Sequence, residues 1–227
     1  PTGRGRTPVR YHARVTAQQP RPSRPVLSAA GLPVGVETAA QLASRSGPHT
    51  ALPVAAPLAP LLPVNGLERG LVHSVRGDAA MSLVYALVAE ATAAGAWCAF
   101  VDMPHAGLRA AHEHGVALQR TVCVDTGRAP SSVGAVIGAL VDGFDIVVVG
   151  SPACPPADAR KVASRVKAQG AVLVVHGAAP SFAPDVEITG RARRWGFAVR
   201  ATERTVEVES AGRRVHRPRR VTVLLPG

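Results

Sequence analysis

The segment Arg76-Gly77-Asp78-Ala79-Ala80-Met81-Ser82-Leu83 stands between an apolar stretch, LVHSV (71–75), and a helical pattern, MSLVYALVAEATAAG (81–95). A strand, a glycine turn and a helix in that order is the setting in which backbone N–H groups wrap a polyphosphate. That chemistry needs G-x-x-x-x-G-K-[ST]: glycines for the wrap, a lysine to neutralise the phosphates and a hydroxyl to hold magnesium. Here the second glycine is missing and no lysine occurs before Lys161. Asp78 puts a negative charge where the polyphosphate would lie, and only Ser82 could supply the hydroxyl. The second half of such a site is an aspartate closing an apolar strand, where it orders magnesium and water. The strand DIVVV (145–149) runs instead into Gly150-Ser151, with Asp145 at its opposite end. We therefore expect Gly77, Asp78 and Ser82 to form a degenerate phosphate loop, and the chain to be no enzyme and to need no cofactor.

Other reactive side chains carry less chemistry. His112-Glu113-His114, with His105 nearby, suggests a metal, but residues two apart on a helix face different ways and a zinc protease needs H-E-x-x-H. No metal site is expected. Ser131-Ser132 after Pro130 reads as a helix cap without histidine and acid partners. Asp102 and Asp125 close strands at the edge where parallel sheets bind ligands. They are vestiges of a site or strand-end caps, and the absent phosphate chemistry favours caps. Cys98, Cys123 and Cys154 lie far apart with no CxxC, which argues against a zinc ribbon and fits a reducing cytoplasm.

The elements that must hold these residues alternate regularly. Strands are predicted at 71–75, 97–102 (WCAFVD), 121–125 (TVCVD), 145–151 (DIVVVGS) and 171–177 (AVLVVHG). Helices are predicted at 81–95, 105–115, 131–143 and 156–170. Strands that are apolar throughout, separated by helices, predict an α/β fold: a mostly parallel sheet with helices on both faces. After residue 185 the rhythm changes to short antiparallel strands: EITGRARRW, FAVRATE, RTVEVES, RRVHR and RVTVLLP. Before residue 64, Pro48, Pro53, Pro57, Pro60 and Pro63 forbid a regular helix and suggest an extended linker. Three regions result: a basic, Pro-rich flexible arm with a short helix near 36–45 (1–63), an α/β core (64–185) and a basic β-rich region (186–227).

The 227 residues are 47% hydrophobic, which excludes wholesale disorder, and no apolar run is long enough to span a membrane. No secretory signal is read at the N-terminus. Net charge is +11, but it is uneven: +6 over residues 1–50, −2 over 51–190 and +7 over 191–227. A basic end binds nucleic acid or an acidic partner, or is a solvated arm. Aromatic residues are only 4%, which disfavours a surface that stacks single-stranded bases. The partner- or DNA-binding residues expected are Arg191, Arg193, Arg194, Trp195, Arg213, Arg214, Arg217, Arg219 and Arg220. Trp195 and Phe197 are either an apolar anchor within that surface or packing for the last strands.

Three segments, LLPVNGLERGLVHSVRG (61–77), AFVDMPHAGL (99–108) and FDIVVVGSP (144–152), resemble the RecA fold read in order. The likeness covers residues ~60–185 and departs at each chemical position: the loop lacks its lysine, Pro104 stands where a catalytic glutamate is expected, and Gly150 where the second acid is expected. Among degenerate RecA-like proteins the chain is most similar to the actinobacterial ImuA-type accessory factors of SOS-induced mutagenesis. That resemblance implies a cytoplasmic, nucleoid-associated subunit induced by DNA damage. It would bind an ImuB-like relative of lesion-bypass polymerases, and through it an error-prone C-family polymerase and the sliding clamp. DNA would be a further partner. The nucleotide-free core also resembles the SulA division inhibitors, which bind the tubulin-like division protein, although the basic ends argue against that alternative.

Overall fold

The computed structural model describes residues 51–127, 130–150, 154–195 and 203–226. Residues 1–50 of the arm, with the helix expected near 36–45, and Phe197 and most of FAVRATE lie outside these residues. In chain order the elements are β1 (Ala51–Leu52), β2 (Leu67–Glu68), β3 (Val72–Gly77), α1 (Ala80–Ala93), β4 (Cys98–Val101), α2 (Leu108–Glu113), β5 (Thr121–Val124), α3 (Pro130–Val141), β6 (Ile146–Gly150), α4 (Pro156–Gln169), β7 (Val172–His176), β8 (Val186–Trp195), β9 (Glu203–Ala211) and β10 (Arg219–Pro226). One sheet of eight strands runs in the order β10-β9-β8-β3-β7-β6-β4-β5. Strands β8, β3, β7, β6, β4 and β5 are parallel, whereas β9 and β10 fold back antiparallel on β8.

The parallel strands obey the pattern that their sequences predict. Cys98–Val101, Ile146–Val149 and Val172–Val175 are buried throughout, because helices cover both faces. On one face, α1 packs over Val75, Phe100, Val148, Val174, Ile188 and Val206. It is itself buried at ten of its fourteen positions, as a helix apolar all round must be. On the other face, α3 and α4 cover Val101, Val147, Val149, Leu173 and Val175. α4 buries only the stripe Ala159, Val162 and Val166. Pro156 opens it with φ already set, and Gly170 closes it in the left-handed region at φ 68°. The edge strand β5 is less covered, with Val122 and Cys123 exposed.

Three expectations change. The Pro-rich stretch at 51–63 is packed rather than extended: Leu58, Leu61 and Leu62 are buried, β1 pairs with β2, and 59–61 form a 3-10 turn. Proline fixes φ at a value that a 3-10 turn accepts, and the leucines between the prolines have a core to enter. The helix expected over 105–115 is only Leu108–Glu113. RRVHR is the turn between β9 and β10, not a strand, with Val215 buried beneath it. No helix among the described residues is long and apolar enough to cross a membrane.

The basic region beyond residue 185 also does not stand apart. β8 pairs in parallel with β3, from His73↔Val186 to Gly77↔Gly190, and so extends the core sheet. Its inner face, Ile188, Val206, Val208, Val223 and Leu225, joins the core under α1. Its outer face carries Glu187, Thr189, Arg191, Glu207, Glu209, Arg220 and Thr222, by strand alternation and register.

Candidate functional site

The turn expected to be a degenerate phosphate loop is a two-residue link, Asp78-Ala79, between the end of β3 and the start of α1. Gly77 sits at φ 101°, and a Cβ there would fall 2.0 Å from the Gly190 carbonyl oxygen. Beyond Gly77 the strand ladder is continued by a side chain: the Asp78 carboxylate accepts the backbone N–H of Ala192 on β8 at 2.9 Å. Ser82, the expected hydroxyl, is bonded by the Arg204 guanidinium of β9 at 2.5 Å. Gly190 opposite lies so close to α1 that a Cβ would meet Leu83 Cδ1 at 2.3 Å. Backbone and side chains of β8 and β9 thus surround the turn where a wrapping loop would need open N–H groups.

The other two chemical positions lie on the same sheet edge, at the C-terminal ends of β4 and β6. Asp102 takes a left-handed φ of 50°, and its carboxylate accepts the Thr126 N–H at 2.8 Å and the Thr126 hydroxyl at 2.6 Å. It ties the loop after β5 to the end of β4, the work of a strand-end cap. Asp125 Oδ1 accepts the Gly127 N–H in its own turn. A Cβ at Gly150 would stand 2.6 Å from the Asp102 carbonyl oxygen. An acid at this position is therefore incompatible with the backbone as it runs. Pro104, with Phe100, Asp102, Met103, Cys123 and Asp125, lines a cavity of about 360 Å³ at this edge. Burial pushes the Cys123 thiol up, so it is not an activated thiolate. His112 is exposed, while His114 is half-buried with Nδ1 at the Ala110 carbonyl, and no group of three or more possible metal ligands gathers among the described residues.

The expected partner-binding arginines fall into three groups. Arg213, Arg214, Arg219 and Arg220 are engaged within the chain. Arg213 pairs with Asp185 at 2.9 Å and Arg214 with Glu68 at 2.5 Å. Arg219 donates to the carbonyls of Pro60 and Leu62, and Arg220 pairs with Glu209 at 3.1 Å. Arg191 and Arg217 are exposed. Arg193, Arg194 and Trp195 lie at the end of β8, where Arg194 faces Thr205 and Trp195 faces Arg204 in register. Their side chains are outside the described residues. The open sheet face is close to charge-balanced, since Glu187, Glu207 and Glu209 stand among Arg76, Arg191 and Arg220. A run of arginines in the sequence therefore does not become a uniformly basic face.

The other sheet edge carries charged groups that residue type and spacing alone scarcely mark. Arg69 bridges the Asp145 carboxylate at 2.7 Å and the Gly170 carbonyl at 3.2 Å. The other oxygen of Asp145 accepts the Trp97 N–H. Asp185 accepts the Val72 N–H. The LERG segment (67–70), within the RecA-like stretch 61–77, thus binds the sheet together at the edge away from that loop. His73, the second residue of β3, is fully buried, and neither ring nitrogen has a hydrogen-bond partner among the described residues. Loss of hydration holds it neutral, its pKa lowered to about 4. Only alternation along β3 could have marked it as inward-facing.

The chain is similar to the uncharacterized protein Rv3395c of Mycobacterium tuberculosis, with 40% identity over 121 residues. The match covers 52% of this chain and 56% of that relative, so the chain spans little more than half the relative's length. Residues 60–181, from the 3-10 turn through β7, match the MT3502 N-terminal domain, and the chain belongs to that family.

Proposed function

We propose that this protein is a non-catalytic, RecA-like accessory subunit of a DNA-damage-induced translesion-synthesis complex. It binds an ImuB-like Y-family polymerase homologue, with DNA as a second ligand. The observation that carries the reading is the closed turn after β3. Asp78 is committed to Ala192, Ser82 to Arg204, and Gly77 is pressed on Gly190. This supports a scaffold that has given up its nucleotide. The likeness to RecA gains support from a placement: its three segments contain β3, β4 and β6, whose C-terminal ends open on the same edge of one parallel sheet, with β7 between β3 and the β6–β4 pair.

In this reading the protein acts by holding partners. Arg191 and Arg217 are the exposed cations best placed to meet a DNA backbone, since Arg219 and Arg220 are held by contacts at home. The test is affinity capture with the full chain from cells after DNA damage. Retention of a Y-family polymerase homologue is the expected result. Retention of the tubulin-like division protein in its place would transfer the reading to a SulA-like inhibitor. A companion measurement is titration with a fluorescent nucleotide, where saturable, magnesium-dependent binding would overturn the scaffold reading.

A further inference from the structure

At the sheet edge away from the closed turn, a cleft of about 650 Å³ opens between the strap 68–72, α4, the 3-10 turn at 180–182 and the β9–β10 turn. Four cationic side chains from three separate segments reach it: Arg69, Lys167, Arg213 and Arg214. Two carboxylates, Glu68 and Asp185, also line it. The arginines are held in place before any ligand arrives. Arg69 is fixed by Asp145 and the Gly170 carbonyl, Arg213 by Asp185 and the Ala183 carbonyl, and Arg214 by the buried Glu68. A guanidinium has five N–H donors and these contacts use one or two of them, so each retains donors in a fixed position. Lys167 is exposed and has no carboxylate partner among the described residues. Apart from Gly70 and Ser164, the rest of the lining is apolar: Leu71, Val72, Ala163, Phe182 and Ala183.

We propose that this cleft docks an acidic peptide segment of a protein partner, its carboxylates on Lys167, Arg213 and Arg214 and an apolar side chain between them against Leu71 and Phe182. The charge complementarity selects carboxylates or phosphates over neutral ligands. The mixed lining favours a peptide, because a free phosphate leaves the apolar floor unused. A nucleic-acid backbone would need a continuous run of cations, which the interposed Glu68 and Asp185 interrupt. The proposal concerns a different surface from the closed turn and stands whether or not the partner is a polymerase homologue.

The test is fluorescence anisotropy of a labelled Glu-Leu-Glu-Asp-Leu-Glu peptide with the full chain at physiological salt. Lys167→Glu reverses an exposed, unpaired charge at no cost to the core, and Ser164→Glu adds a negative charge beside it on α4. Each is expected to weaken binding by about tenfold or more. Arg217→Glu makes the same charge change as Lys167→Glu outside the cleft and is expected to have less than about a twofold effect. Equal losses in Lys167→Glu and Arg217→Glu would reduce the binding to non-specific attraction and overturn the proposal. So would an unaltered affinity in Lys167→Glu. Displacement of the peptide by inorganic phosphate at matched ionic strength, with no displacement by sulfate or chloride, would replace the peptide by a phosphate ligand.

Discussion

The two halves of the sheet solve burial in different ways. Between β7 and β4 each strand is covered by helices on both sides and is apolar along its buried length, with His176 only at the end of β7. Beyond β3, strands β8, β9 and β10 are covered on one face only, so apolar and charged residues alternate along them. The first half is fit for stability and offers ligands only its edges. The second can present side chains across a whole face, and it contains most of the chain's described arginines. The halves meet at β3–β8. That junction holds the two glycines that bring the strands together and the buried His73, and the family match ends just short of it, at residue 181. The difference teaches that a turn at the end of one strand can be closed by the strands added beside it: β8 and β9 supply the groups that occupy the turn after β3.

The junction is the place to break this arrangement. Gly77→Val is expected to have the largest effect, a loss of more than ~3 kcal/mol, since the residue needs a positive φ and the obstacle is backbone. Urea denaturation measures it, and a loss below ~1 kcal/mol would mean that the strands separate easily there.

A pH series sharpens the same point through His73. Its pKa is near 4 in the folded protein and near 6.5 in the unfolded chain, so the unfolded state takes up the proton first. The stability is complete above pH ~6.5 and falls as the pH drops toward 4, by on the order of 3 kcal/mol at most. His73→Leu should remove this part of the slope between pH 6.5 and 4, as read by denaturation at several pH values. An unchanged slope would show that His73 is hydrated in solution.

Two ion pairs in the one-sided half should differ in the same direction as their burial. Arg214→Ala strands the carboxylate of Glu68, whose side chain is 8% exposed, and should cost about 1–3 kcal/mol. Arg220→Ala removes a pair on the open face and should cost about 0.5 kcal/mol or less. Equal costs would mean that the open face is covered in solution. Smallest of all, Leu224→Thr on that face, where Leu224 is 62% exposed, should leave stability within about 0.5 kcal/mol.

Much of the fold was legible because its signals are local. Apolar runs such as Ile146–Val149, the glycine after α4 and the proline at its start each announce an element without reference to the rest of the chain. The stretch 51–63 reads as a linker in the sequence because prolines describe only what a helix cannot do. They say nothing of Ser210, whose hydroxyl bonds the Leu61 carbonyl from 149 residues away.

The sequence by itself determined that an α/β core is present, that the loop after β3 lacks the lysine and second glycine of a phosphate site, and that charge gathers at the ends. These follow from residue type and short spacing. The tertiary structure alone decided which carboxylate holds which arginine and where its remaining donors point. Arg213 and Arg214 are neighbours in the chain, yet one meets Asp185 and the other Glu68, 28 and 146 residues away. The reason is physical: a charge is neutralised by what lies within a few ångströms of it, and strand pairing, not sequence distance, sets those neighbours.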